Sequence, residues 1–298
     1  MSKKKENKFI ATMCVLLAGI FWGTMGLLVR NMSSLGYDSF EIVMFRAIVT
    51  SLIMLIGTAI FNKNELRIKL KDIWIFIGTG IVSVAFFNYC YFSCMNYTTL
   101  SNAAILLYTA PSFVMIMSAL FFRERFTLKK FICLAVAFIG CVLVSGGFSG
   151  NGLTVKGLLL GLGAGFGYAL YSIFSRVGIK KGYSSITITT YTFLFTIVGL
   201  IPFVKWGHFV VNFGSNIAGV PYEMLLVIVN TVLAYILYTK GLSGMENSKA
   251  SIIASIEPVV ASLIGIYVFK ESPTVIGMIG CALVLGSCIA TNIGSNRK

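Results

Sequence analysis

Ten runs of about twenty mostly apolar residues, joined by connections mostly under a dozen residues long, occupy nearly all of this 298-residue chain. They extend from Phe9 to Val29, Phe40 to Phe61, Ile73 to Phe92, Asn102 to Phe122, Phe131 to Phe148, Lys156 to Phe174, Ile186 to Trp206, Val220 to Tyr238, Ala250 to Phe269 and Val275 to Ile293. A helix needs about 20 such residues to cross a hydrocarbon core roughly 30 Å thick. The pattern predicts an all-α integral membrane protein with ten transmembrane helices. With 57% hydrophobic and 11% charged residues, the chain is too apolar for a soluble fold or for disorder. The runs do not alternate, which excludes the strands of a β-barrel. The first run is too long for a cleaved signal peptide and lacks its small-residue end.

The net charge of +14 would suit a nucleic-acid binder, but its distribution excludes that reading. Nineteen of the 24 Lys and Arg residues fall in the N-terminal tail, the connections after spans two, four, six and eight, and the C-terminus. The intervening connections hold only Arg30, Lys156, Lys205 and Lys270, and Arg46 lies inside a span. Basic residues are retained on the cytoplasmic side, so both termini are expected there, in a cytoplasmic membrane. No nucleic acid is expected as a partner. The expected partners are the lipid bilayer, a small-molecule substrate and protons.

The chain also repeats itself. A shift of 147 sets Tyr91 on Tyr238, Ser101 on Ser248, Ala103 on Ala250, Ile105 on Ile252, Pro111 on Pro258, Phe122 on Phe269 and Glu124 on Glu271. A shift of 146 sets Ala18 on Ala164, Gly19 on Gly165 and Arg30 on Arg176, with Trp22 opposite Tyr168. Each copy holds an odd number of spans, so the second enters the membrane from the opposite side. The expected domains are a first five-helix repeat over 9–148 and a second, inverted one over 156–293. Inverted repeats of this kind build secondary transporters, whose two halves exchange conformations around a midplane site.

Phe21-Trp22-Gly23-Thr24, the Pro111 to Glu124 spacing repeated from Pro258 to Glu271, and Glu257-Pro258-Val259-Val260-Ala261 give the residues a resemblance to the EamA-type family of the drug/metabolite transporter superfamily. The resemblance implies movement of small metabolites such as amino acids by alternating access around a central cavity, without ATP. No Gly-x4-Gly-Lys-Ser/Thr loop is present in the sequence.

Charge inside a span costs about 2.5–3.5 kcal/mol at a helix centre, so such residues face a cavity or a partner. By depth along their helices, Glu257 and Arg46 come within reach of each other. They either form a buried ion pair, with Glu257 capping backbone freed by Pro258, or bind substrate, Glu257 taking an amine or a proton and Arg46 a carboxylate. Glu41 points away from Arg46 and is expected at the headgroup level. Pro111 and Pro258 each remove a backbone hydrogen bond near mid-helix, making either a hinge in the cavity wall or a static kink.

Asn88 and Tyr91 share one face of span three, as their counterparts Tyr235 and Tyr238 share one face of span eight. With Trp22, Tyr108, Tyr168, Tyr171 and Asn230 they are candidates for lining a polar-aromatic cavity, the alternative being core packing. Gly161, Gly163, Gly165 and Gly167 read as a close helix contact, not a nucleotide loop. The seven cysteines lack metal-ligand spacing and read as small core residues. No cofactor or metal is expected. Asp38 and Asp72 flank spans on opposite sides, which disfavours an aspartyl protease. Gly147-Phe148-Ser149-Gly150 with His208 lies in connections, not in a buried dyad, so catalysis is disfavoured. A passive facilitator or channel is the alternative to a coupled carrier.

Overall fold

A computed structural model describes residues 3–147, 154–215, 217–270, 272 and 274–292. Phe148, Ser149, Gly150, Glu271 and Ile293, invoked above, lie outside the described residues. The helices in chain order are α1 (Lys3–Ser34), α2 (Ser39–Phe61), α3 (Leu70–Met95), α4 (Leu100–Phe122), α5 (Leu128–Val144) and α6 (Val155–Lys180). They continue as α7 (Ser185–Phe203), α8 (Trp206–Ser215), α9 (Val220–Gly244), α10 (Asn247–Tyr267) and α11 (Val275–Asn292).

The described residues contain no strand, and eight helices are long and apolar enough to cross a membrane. The two further runs expected to span appear as α5, of 17 residues, and α11, of 18. These two pack on each other through Gly140 and Gly280, each of which faces the other's carbonyl oxygen so closely that a Cβ would stand 2.7–2.8 Å from it. The bundle exposes Ile60, Leu120, Leu159 and Ile276 on its outer face. An outward apolar coat of this kind matches lipid, not water.

The helix starts follow local chemistry. Thr99, Thr127, Thr154 and Ser184 each accept the N–H three residues on, and Asp38 forms a capping box with Glu41. Glu41 sits in the first turn of α2 and faces the protein. It is fully buried and its carboxylate lies 2.6 Å from His208 Nδ1 of α8. α8 is itself a helix where the sequence reads only a connection.

Four helices are irregular, in two matching pairs. α4 breaks at Tyr108 and Thr109 and resumes at Ala110-Pro111, while α10 breaks at Ser255 and Ile256 and resumes at Glu257-Pro258. Each proline takes an early position of the resumed helix, where its missing N–H leaves no orphan. α3 and α9 each contain an eight-residue π segment, Gly78–Ala85 and Leu226–Leu233. Segments of this type are rare and concentrate at functional sites. Arg123 at φ 55° and Lys270 at φ 58° are the two non-glycine residues with positive φ among the described residues, and they follow α4 and α10.

Candidate substrate-binding site

Close helix approach sets the site. The glycine stripe on α6 lies against the break in α4: a Cβ on Gly165 would stand 2.5 Å from Thr109 Oγ1 and 3.0 Å from the Leu106 carbonyl. On α1, a Cβ on Gly19 would stand 2.6 Å from Ile256 at the break in α10. These contacts hold Trp22 of α1 and Tyr168 of α6 together at the centre of the bundle, ring centroids 5.9 Å apart.

Trp22 also meets Tyr235 at 5.4 Å and Tyr238 at 5.1 Å, and Tyr171 meets Tyr235 at 5.0 Å. Edge-to-face packing of this sort is favoured by the ring quadrupoles. Two hydroxyls are fixed by partners, Tyr171 with Thr239 at 2.7 Å and Tyr238 with Ser172 at 2.8 Å. Beside these rings is a narrow gap of about 10 Å³, room for about one water molecule, lined by Trp22, Ser83, Phe87, Tyr168, Tyr171 and Tyr235 among others. A second narrow cleft, of about 20 Å³, is lined by Tyr108, Pro111, Tyr168, Ser251, Ser255 and Glu257 among others. Tyr168 is common to both and divides them. Glu257 lies within electrostatic range of Tyr91, Tyr108, Tyr168 and Tyr235. The arrangement is a narrow aromatic chamber with one carboxylate.

Trp22, Tyr108, Tyr168, Tyr171, Tyr235, Tyr238, Glu257 and Pro111 thus line one or both clefts, while Pro258 is buried beside them. Asn88 does not line either one. Its amide donates to the Val84 carbonyl at 2.7 Å, satisfying backbone in the π segment of α3. Asn230, in the π segment of α9, ties that segment to Phe21 and Thr24 of α1. Tyr91 packs on Phe87 and Phe92. Arg46 forms no ion pair with Glu257; the acidic residue that acts on it electrostatically is Glu223.

A second polar cluster closes one end of the bundle. Glu124, just after α4, accepts hydrogen bonds from the N–H of Asn247 at 2.8 Å and of Ser248 at 3.3 Å, and from the Ser248 hydroxyl at 2.6 Å. It thereby caps the first turn of α10, whose own N-cap residue Glu246 makes no side-chain cap bond. Arg176 of α6 sits 3.8 Å from Glu124 and donates to the carbonyls of Leu242 and Met245, so α6 is joined to the α4–α5 connection and to the end of α9. Glu246 pairs with Lys249 at 2.8 Å and Lys130 at 3.2 Å in the same cluster. The other end differs. α4 is capped by its own Thr99, and Ser101 is exposed where its counterpart Ser248 at the first end is 1% exposed.

Sequence reasoning paired Glu124 with Glu271 and Ser101 with Ser248 without giving them a role. It passed over Glu223, Ser172 and Phe87. A carboxylate three residues inside an apolar run was the available signal for Glu223.

A multi-pass helical bundle around an aromatic chamber is the frame of a membrane transporter, and sequence relatives place it more narrowly. The model of the EamA-like transporter family matches residues 9–146 and again 155–293, and the chain belongs to that family. It is similar to the "Uncharacterized transporter YwfM" of Bacillus subtilis, 25% identical over 93% of this chain and 91% of that one. An "Uncharacterized transporter" of Archaeoglobus fulgidus is 28% identical, covering 92% and 93%, and the "Uncharacterized inner membrane transporter YicL" of Salmonella typhimurium is 26% identical, covering 95% of each chain. A solved crystal structure shares the fold with a TM-score of 0.78 at 18% identity, over 95% of this chain and 96% of that one.

Proposed function

We propose that the chain moves a small organic metabolite, an amino acid or a related compound, across the cytoplasmic membrane by alternating access of two inverted five-helix halves. In this reading α5 and α11 complete ten spans, both termini are cytoplasmic, and the halves are 9–148 and 156–293. The matched irregularities support the repeat. The helix breaks at Tyr108 and Ser255 and the left-handed residues Arg123 and Lys270 are each related by the same shift of 147. The π segments start at Gly78 and Leu226, one position from that shift. The family model matches once per half.

The observation that carries the reading is the inequality of two repeat-related ends. Ser248 is 1% exposed and held by Glu124, whereas its counterpart Ser101 is exposed. Equivalent sequences in unequal environments are what alternation between two states requires. The end sealed by Glu124 carries the basic connections, so the conformation is closed toward the cytoplasm. The narrow chamber widens to admit solute from the other side. Glu257 supplies the carboxylate facing a substrate ammonium, and the rings around Trp22 its apolar walls.

Proteoliposome uptake with a panel of labelled amino acids tests this. The reading requires saturable uptake, accelerated by the same solute on the far side, and reduced at least tenfold in Glu257→Gln. Flux that grows linearly with concentration and shows no counterflow would make the chain a passive channel.

A further inference from the structure

Glu223 is wholly buried in the first turn of α9, yet neither of its carboxylate oxygens has a hydrogen-bond partner. Arg46 of α2 is 4% exposed, its Nε is likewise unpartnered, and its Nη1 reaches only the Met25 sulfur at 3.4 Å. α9 begins against α1 and α2, which brings the two charges within electrostatic reach without an ion-pair contact. A carboxylate left this way in an apolar interior is costly to keep ionised. Arg46 also lies within reach of Tyr235, and its neighbour Ala47 packs in the same cluster as Trp22 and Tyr235. The guanidinium is therefore within electrostatic range of both a chamber ring and Glu223.

Three other titratable groups of α1, α2 and their connection have partners. Tyr37, in the α1–α2 turn, donates to the Asn212 carbonyl at 3.3 Å. Glu41 of α2 is held by His208 and Asn212. Arg30 of α1 lies 4.1 Å over the Phe269 ring.

We propose that Glu223 is a proton-binding site whose counter-charge is Arg46, so that a proton on Glu223 releases Arg46 toward the chamber to hold an anionic group of the substrate. The charges balance: the ionised pair is neutral, and one proton on Glu223 plus one anion on Arg46 leaves it neutral. The linkage to solute movement rests on the transport reading above. Proton binding itself does not.

Infrared titration of the full-length chain in lipid nanodiscs, with the proton as the only ligand, tests the site. The expected spectrum contains the carbonyl band of a protonated carboxylic acid that fades as pH rises. Glu223→Gln loses that component, Glu257→Gln retains it, and Glu223→Asp, which keeps the acid, shows a titrating band. In Arg46→Gln the component persists across the pH range over which the unaltered chain loses it. A band unchanged by Glu223→Gln, or a titration indifferent to Arg46→Gln, overturns the proposal. Absence of saturable solute flux would instead overturn the transport reading and leave these spectra as they are.

Discussion

The carboxylate of Glu124 accepts a 2.6 Å hydrogen bond from the hydroxyl of Ser248, 124 positions further along the chain. The same carboxylate receives two N–H groups of the first turn of α10, so it acts as that helix's cap from a distant part of the sequence. Only a rearrangement that parts the α4–α5 connection from α10 can undo it.

Loss of that cap is read directly by amide exchange. Hydrogen bonds to a charged group contribute about 1.5–3 kcal/mol each. Glu124→Gln therefore raises hydrogen exchange at Asn247 and Ser248 by about tenfold or more, since every 1.4 kcal/mol is a factor of about ten. Exchange at Leu100 and Ser101, at the opposite end, does not rise with it. A uniform increase throughout the bundle would mean general destabilisation.

The pH dependence of this cluster has a defined sign. Burial opposes the charge on Glu246, but the hydrogen bond from Lys249 and the charges of Lys130 and Lys249 outweigh it and hold the carboxyl below its ordinary value of 4.5. A depressed folded-state value gives stability that is present above the unfolded value and lost as pH falls through the folded one. The thermal midpoint of the unaltered chain exceeds that of Glu246→Gln at neutral pH. The gap narrows as pH drops below about 4.5. A gap that widens in acid contradicts the assignment.

Helix contact at the α4 break is tested by a single methyl group. Gly165→Ala places a Cβ against Thr109 Oγ1 and the Leu106 carbonyl, and overpacking of this kind costs about 1–3 kcal/mol. The midpoint of thermal unfolding falls accordingly. Gly26→Ala, with no atom within 4 Å of the new Cβ, leaves it unchanged or raised.

Trp22 is one of three tryptophans, and it alone lines the central cleft. Titration of the purified chain with amino acids and their analogues is expected to change tryptophan fluorescence for the solute that binds. Trp22→Phe abolishes that change and Trp74→Phe preserves it. A signal retained in Trp22→Phe would place the binding site elsewhere.

The long apolar runs, the prolines that mark where α4 and α10 break, and the aromatic set around Trp22 were all legible in the sequence, because each depends on local composition or helical periodicity. Arg46 and Glu257 were matched by depth alone, and depth does not say which faces two helices turn toward each other. Asn88 and Asn230 share the sequence signature of cavity residues, but their amides donate to backbone, Asn88 to Val84 and Asn230 to Phe21 of α1. The Glu124 cap joins residues on opposite halves of the chain, and only tertiary structure brings them together. Its members nevertheless stood in the repeat alignment as Glu124 and Ser248.

In the proposed transport cycle the two ends of the bundle exchange states. Arg125 and Ser243 are exposed on either side of the closed end, and the shift of 147 takes them to Ser272 and Asn96, also exposed, at the other. Spin-label pairs at 125/243 and at 96/272, measured by pulsed electron resonance in nanodiscs, report both ends of one molecule type. With Glu124→Gln the account predicts a longer 125/243 distance together with a shorter 96/272 distance. An increase at the first pair with no change at the second would contradict it.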